Sequence, residues 1–211
     1  MAFTSALRSV ASWIARRLLM VLMPRVAVTM TAAGTGIGYQ SSVHQMQTEN
    51  VSEVQSVESI EVLDISGKLA KHSTKTYPRR NVNRVTGRVF HHSATTNQNL
   101  STIAQYHVVS RGWPGIAYHI AIGWDGKIYL LNDFSIASYH TAGHNARNIG
   151  IVLVGNYEQN RPSEAMVRSI ERLREHLDAQ GIAIEYIHMD LVSTACPGRY
   201  AIEALRPQKP S

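Results

Sequence analysis

An α/β domain, built on a mixed central β-sheet flanked by helices and preceded by an N-terminal extension, is predicted by three features of the chain. Ile149-Gly150-Ile151-Val152-Leu153-Val154 is apolar throughout, the pattern of a central strand buried on both faces. Asp125-Gly126 separates two apolar runs, 117–124 and 127–131, and is a strong hairpin turn signal. Met166, Val167, Ile170, Leu173 and Leu177 recur at helical spacing with charged residues opposite them. A doubly buried strand beside a hairpin, with an amphipathic helix to cover them, makes a layered domain with a mixed sheet. The length of 211 residues, 44% hydrophobic and 17% charged, suits one well-cored domain and a long extension rather than two full domains.

The extension divides into two parts. In residues 1–40, Phe3, Leu7, Val10, Ile14, Leu18 and Val21 recur at steps of three or four, while Arg8, Ser12 and Arg16 share another face, which predicts a basic amphipathic helix ended by Pro24. No Asp, Glu, Lys or Arg follows from Val26 to Thr48. An atypical signal peptide, a marginal membrane anchor and an interfacial helix with a flexible linker all fit this pattern, as does a disordered arm. Export to, or association with, the cell envelope or periplasm is the expectation. Residues 41–84 read as a linker or small helical extension. Val51, Val54, Val57, Ile60 and Leu63 are spaced for a short helix, yet Ile60 and Val62 alternate with acids as a strand would, and 68–87 is polar and basic.

The domain proper is expected over 85–207. Arg88 to Ala94 reads as a strand ending in His91-His92; Asn99 or Ser101 can cap a helix that runs through Val109 and is closed by Gly112. The hairpin and the central strand follow. Pro162-Ser163 then starts the amphipathic helix, Gly181 ends it, and 181–187 forms a last strand leading to His188.

Charge and cysteine usage narrow the function classes. The net charge is +6, but residues 1–80 hold nine Lys or Arg against five acids and the remainder twelve against ten, so no basic stripe runs through the domain and nucleic acid is not an expected partner. One cysteine excludes an internal disulfide. That cysteine, Cys196, stands eight residues after His188, and His91-His92 supplies a second imidazole far upstream. Two imidazoles and a thiolate form a zinc-type donor set with a fourth position open for water, the mark of a catalytic rather than a closed structural site. Strand ends can bring such residues to one edge of a sheet. Taken singly, each residue has a plainer reading, a satisfied core histidine or a cysteine acting as a small buried hydrophobe.

Six segments carry a resemblance: Phe90-His91-His92-Ser93-Ala94-Thr95, Gly112-Trp113, Ala117-Tyr118-His119, His140-Thr141-Ala142-Gly143-His144-Asn145, Asn148 to Ile151 with Val154 to Tyr157, and Thr194-Ala195-Cys196-Pro197-Gly198. In order and spacing they resemble the successive motifs of the zinc-dependent N-acetylmuramoyl-L-alanine amidases, a family that includes phage amidase lysozymes and the peptidoglycan recognition proteins. The likeness spans roughly Val85 to Leu205 and does not extend to residues 1–80. It implies Zn2+ held by His91, His188 and Cys196, with His92 structural or at the cleft wall. It gives Tyr118 and Thr194 catalytic roles beside the metal. Where one branch of the family has a basic glutamate this chain has Val152, so that mechanism is not available to it. The implied substrate and partner is peptidoglycan, both glycan and stem peptide, cut at the amide between N-acetylmuramic acid and L-alanine. Trp113, His140 and Asn145 are the candidates to contact it, although Trp113 suits a core and Asn145 a turn equally well. A non-catalytic peptidoglycan-binding module and a structural, virion-associated wall-docking protein are the alternatives. The role, phage lysis or bacterial wall remodelling, stays open, as does membrane contact through the N-terminal segment.

Overall fold

Six strands form one sheet in the order β1-β4-β3-β5-β2-β6 in a computed structural model that describes residues 60–96 and 99–206. The strands are β1 (Val62–Asp64), β2 (Gly87–His92), β3 (Ile120–Ile122), β4 (Ile128–Leu130), β5 (Asn148–Leu153) and β6 (Ile184–Ile187). Only β3 and β4, joined through Asp125-Gly126, pair antiparallel; β1 with β4, β3 with β5, β5 with β2 and β2 with β6 are parallel. The sheet is therefore mixed, as the sequence predicts. The amphipathic segment expected in residues 1–40 and the helical spacing over 51–57 lie outside the described residues.

Three helices flank the sheet: α1 (Leu100–Val109), α2 (Glu164–Ala179) and α3 (Arg199–Leu205). Asn99 caps α1 by accepting from the Thr102 N–H, and Ser163 caps α2 by accepting from the Met166 N–H. On one face of the sheet, Phe90, Ile149, Ile151 and Leu153 meet Met166, Ile170, Leu173 and Leu177 of α2 and Ala201 and Leu205 of α3. On the other, Ala121 and Val152 meet Ile103 and Ala104 of α1. Period-two alternation along β5 thus feeds two cores at once, which is why its sequence reads apolar at every position. None of the described helices is long and apolar enough to cross a membrane.

The stretch read as a linker or lead-in is, over residues 60–84, part of the same compact unit as the domain. Its alternating Val62-Leu63-Asp64 takes the strand option and pairs with β4. Downstream of β1 the chain straps across the domain. Lys75 Nζ donates to the Gly112 carbonyl at 2.7 Å, Tyr77 Oη to the Gly115 carbonyl at 2.6 Å, and the Ala137 N–H to the Pro78 carbonyl at 2.8 Å. Lys75, Tyr77 and Pro78, which make these contacts, belong to no periodic apolar run, so hydropathy gave no sign of them.

Candidate metal centre and cleft

Parallel register brings the two histidines together. Phe90 of β2 is the partner of Ile187 of β6, so the next position on each strand places His91 beside His188, the first residue of a 3-10 turn, with ring centroids 4.4 Å apart. Cys196 enters from the loop before α3, which folds back through a hydrogen bond from the Met189 N–H to the Cys196 carbonyl and carries a cis Cys196-Pro197 bond. Its sulfur accepts from the His92 N–H at 3.4 Å and lies 3.9 Å from His91 Nδ1. Among the described residues, His91, His188 and Cys196 form a group whose donor atoms all fall within 4.8 Å of one another.

The donor chemistry fits a zinc ion. Nδ1 of His188 is buried without a hydrogen-bond partner among the described residues, a costly arrangement unless that lone pair has another use. Tetrahedral zinc with ordinary bond lengths holds N and S ligands about 3.6 Å apart, close to the separation between His91 and Cys196. Burial lowers the pKa of His91 and of His188, which keeps both imidazoles neutral and able to ligate. Burial pushes the Cys196 thiol up to about 11, only partly offset by the His92 N–H, so its thiolate calls for a nearby cation.

A cleft of about 510 Å3 opens over these atoms, lined among others by Tyr106, His107, Trp113, Tyr118, Tyr139 and Thr194. The Tyr118 ring lies 5.3 Å from that of His91. Burial, and secondarily the Cys196 sulfur, raises the Tyr118 phenol far above its usual range and holds it as a donor. Thr194 accepts from the Cys196 N–H at 3.2 Å, which ties the hydroxyl to the ligand loop and leaves its proton to donate. His92 Nδ1 accepts from the Tyr157 N–H at 3.2 Å while the residue lines the cleft wall. Val152, the partner of His91 in the β2–β5 register, is wholly buried and apolar.

Of the three residues expected to contact ligand, two line the cleft. Trp113 is half-buried there, held between His107 and Tyr139 with the Arg111 guanidinium over its ring. His140 lines the cleft from beside His91, but is 6% exposed with both nitrogens within hydrogen-bonding reach of protein groups. Asn145 does not line the cleft; its side-chain oxygen accepts from the Thr141 N–H at 2.8 Å and closes the 141–145 loop. The sequence reading gave no role to Tyr106, His107 or Tyr139. Ile103, Tyr106 and His107 at i, i+3 and i+4 on α1 were the available signal for the first two.

Residues 81–199 match the family profile described as N-acetylmuramoyl-L-alanine amidase (Amidase_2), more than half of the chain. The chain belongs to the N-acetylmuramoyl-L-alanine amidase family. Relatives of this amidase domain include the N-acetylmuramoyl-L-alanine amidase of Sus scrofa, 32% identical over 113 residues, which are 51% of this chain and 19% of the pig protein. Peptidoglycan-recognition protein SC2 of Drosophila melanogaster is 32% identical over 103 residues, 47% of this chain and 56% of the fly protein. The chain thus spans about a fifth of the one curated relative and little over half of the other. Among solved structures, the endolysin N-acetylmuramoyl-L-alanine amidase LysCS from Clostridium intestinale URNW superposes with a TM-score of 0.59 at 26% identity, covering 71% of this chain and 97% of that one.

Proposed function

We propose that this amidase domain hydrolyses the amide between N-acetylmuramic acid and L-alanine in peptidoglycan, with zinc held by His91, His188 and Cys196. The observation that carries the reading is the orphaned His188 Nδ1 beside His91 Nδ1 and the Cys196 sulfur at the foot of an open cleft. Zinc, when bound, supplies an activated water and polarises the scissile carbonyl. The protein's part is to orient and to donate hydrogen bonds, while the attacking water gives its oxygen to the lactyl carbonyl carbon and a proton to the departing L-alanine nitrogen. Tyr118, kept protonated, donates to the oxygen on which negative charge develops, and Thr194, which lines the same cleft, donates a second hydrogen bond; both are neutral, so they stabilise that charge by hydrogen bonds alone. Trp113, Tyr106 and Tyr139 offer flat apolar faces suited to sugar rings and an extended peptide.

Mass spectrometry of muropeptides after digestion of purified peptidoglycan tests this. Free stem peptide with an L-alanine amino terminus is expected, lost with a chelator and restored by zinc. Tight peptidoglycan binding by the zinc-loaded chain without release would make the domain a recognition module, the character that the fly relative's name suggests. The basic amphipathic residues 1–40 are proposed to carry the domain to the cell envelope. Recovery of the full-length chain wholly in the soluble cytoplasmic fraction would contradict that role.

A further inference from the structure

His140 has a position that neither ligation nor substrate contact accounts for. Its Nε2 lies 3.1 Å from the Asn148 carbonyl oxygen, which can only accept, so the ring proton is on Nε2 and Nδ1 is a lone pair. That lone pair faces His91 Nε2 at 3.3 Å. Two bare nitrogens at this distance would repel, whereas a proton on His91 Nε2 makes a hydrogen bond and leaves His91 Nδ1 as the lone pair directed at Cys196, 3.9 Å away. Thr141 Oγ1, 3.0 Å from His140 Nδ1 and 3.4 Å from His91 Nε2, can accept the His91 proton or donate to His140 without changing the assignment, whereas donation to His91 Nε2 would leave the His140 lone pair facing a bare nitrogen at 3.3 Å, the repulsive arrangement.

The ring's place is built into the sheet. His140 lies against Gly150 of β5, where an added Cβ would come within 2.6 Å of the imidazole Cγ, so the absence of a side chain there makes room for it. The Asn148 carbonyl that holds it also accepts from Arg80 Nη1 at 2.6 Å, and the same nitrogen bonds the Asn145 carbonyl. Arg80 stands one residue ahead of the family match, in the strap that precedes the domain.

We propose that His140 is a positioning residue: through a directional chain from the Asn148 carbonyl to His140 to His91, it fixes His91 as the Nε2–H tautomer with Nδ1 presented to the metal site. Ligating histidines are generally oriented by such an outer partner, and its loss typically costs 10–100-fold in metal affinity. Here the partner is a second neutral histidine whose own tautomer is set by backbone.

The inference rests on the metal reading above, and the two fail separately because the tautomer is read on zinc-free protein. Long-range 1H–15N spectra of the full-length, zinc-free chain are expected to show His91 and His140 both protonated at Nε2. A His91 proton on Nδ1 overturns the proposal, whereas a wild-type chain that shows these tautomers but takes up no zinc sinks only the metal reading. In His140→Leu, His91 is expected to populate both tautomers and zinc affinity, measured against a competing chelator, to fall about 10–100-fold. His140→Gln, which keeps one acceptor and one donor, is expected to recover part of that loss, and Thr141→Val to bind zinc within a few-fold of wild type. Equal losses in the Leu and Gln variants, or a loss in Thr141→Val alone, would assign the effect to packing or to the threonine and overturn the proposal.

Discussion

In the proposed zinc site, Cys196 is the ligand whose proton must leave. Its thiol is pushed up to about 11 by burial, while burial lowers the pKa of both partner imidazoles, which therefore bind metal without releasing anything at neutral pH. One proton should leave per zinc bound between pH 7 and pH 9, so apparent affinity should rise about tenfold per pH unit. Chelator-competition titrations check this, and a flat profile would mean that the sulfur is not a ligand. Cys196→Ala should accordingly lose both zinc and turnover. Tyr118→Phe should retain full zinc content and lose about 10²-fold or more in kcat, as removal of one oxyanion donor does elsewhere; an unchanged kcat would take Tyr118 out of the reaction.

Register between β2 and β6 is what sets His91 beside His188, and that register is pinned from the opposite face of β2. Arg88, 4% exposed, reaches Asp178 of α2 at 2.6 Å, Glu185 of β6 at 2.8 Å and the Ile182 carbonyl at 3.0 Å. Arg88→Ala should cost about 3 kcal/mol in denaturant unfolding, the low end for breaking a buried pair, because its acids are partly exposed. A second element-level constraint is Gly198, which opens α3 with φ +89° and where a Cβ would lie 2.5 Å from the Glu158 N–H nitrogen. Gly198→Ala should displace the Cys196 loop and reduce zinc stoichiometry even where the chain remains folded. Normal zinc content in that variant would show the loop to be more tolerant than its backbone suggests. α2 was legible because its stripe repeats over four turns with a serine cap. α3, seven residues after a glycine with no side-chain cap, and β1, three residues long, offered too little pattern to read.

The whole domain carries a set of imidazoles kept neutral by burial. His91 and His119 have pKa values far below normal, His107 is lowered to about 4 and His140 to about 3, in each case chiefly by desolvation. The unfolded chain takes up protons at these residues as pH falls below about 6.5, while the native chain refuses them until much lower pH. Stability from this source is therefore full above about 6.5 and is lost progressively as pH falls toward the folded values. The Tm of the zinc-free protein should drop between pH 6.5 and pH 5, above the range in which carboxylates titrate. A Tm flat over that interval would mean the histidines are solvated.

Local pattern was enough to identify the central strand, the hairpin turn and the two longer helices, because periodicity is a property of neighbouring residues; the candidate donor set His91, His188 and Cys196 needed the resemblance as well, since residue types alone left plainer readings open. Motif order carried the family as well. The same pattern did not separate His140, which lines the cleft with both ring nitrogens engaged by protein groups, from Asn145, whose side chain closes its own loop: a polar residue in a loop motif looks alike whether it faces a ligand or a neighbouring backbone group. Which histidine lies next to which, that the His188 Nδ1 is buried without a partner among the described residues, and that Arg80 of a polar strap braces the site all depend on strand register and on contacts between residues as much as 105 positions apart. Those are set when two cores close on one sheet, and no local run of the chain contains them.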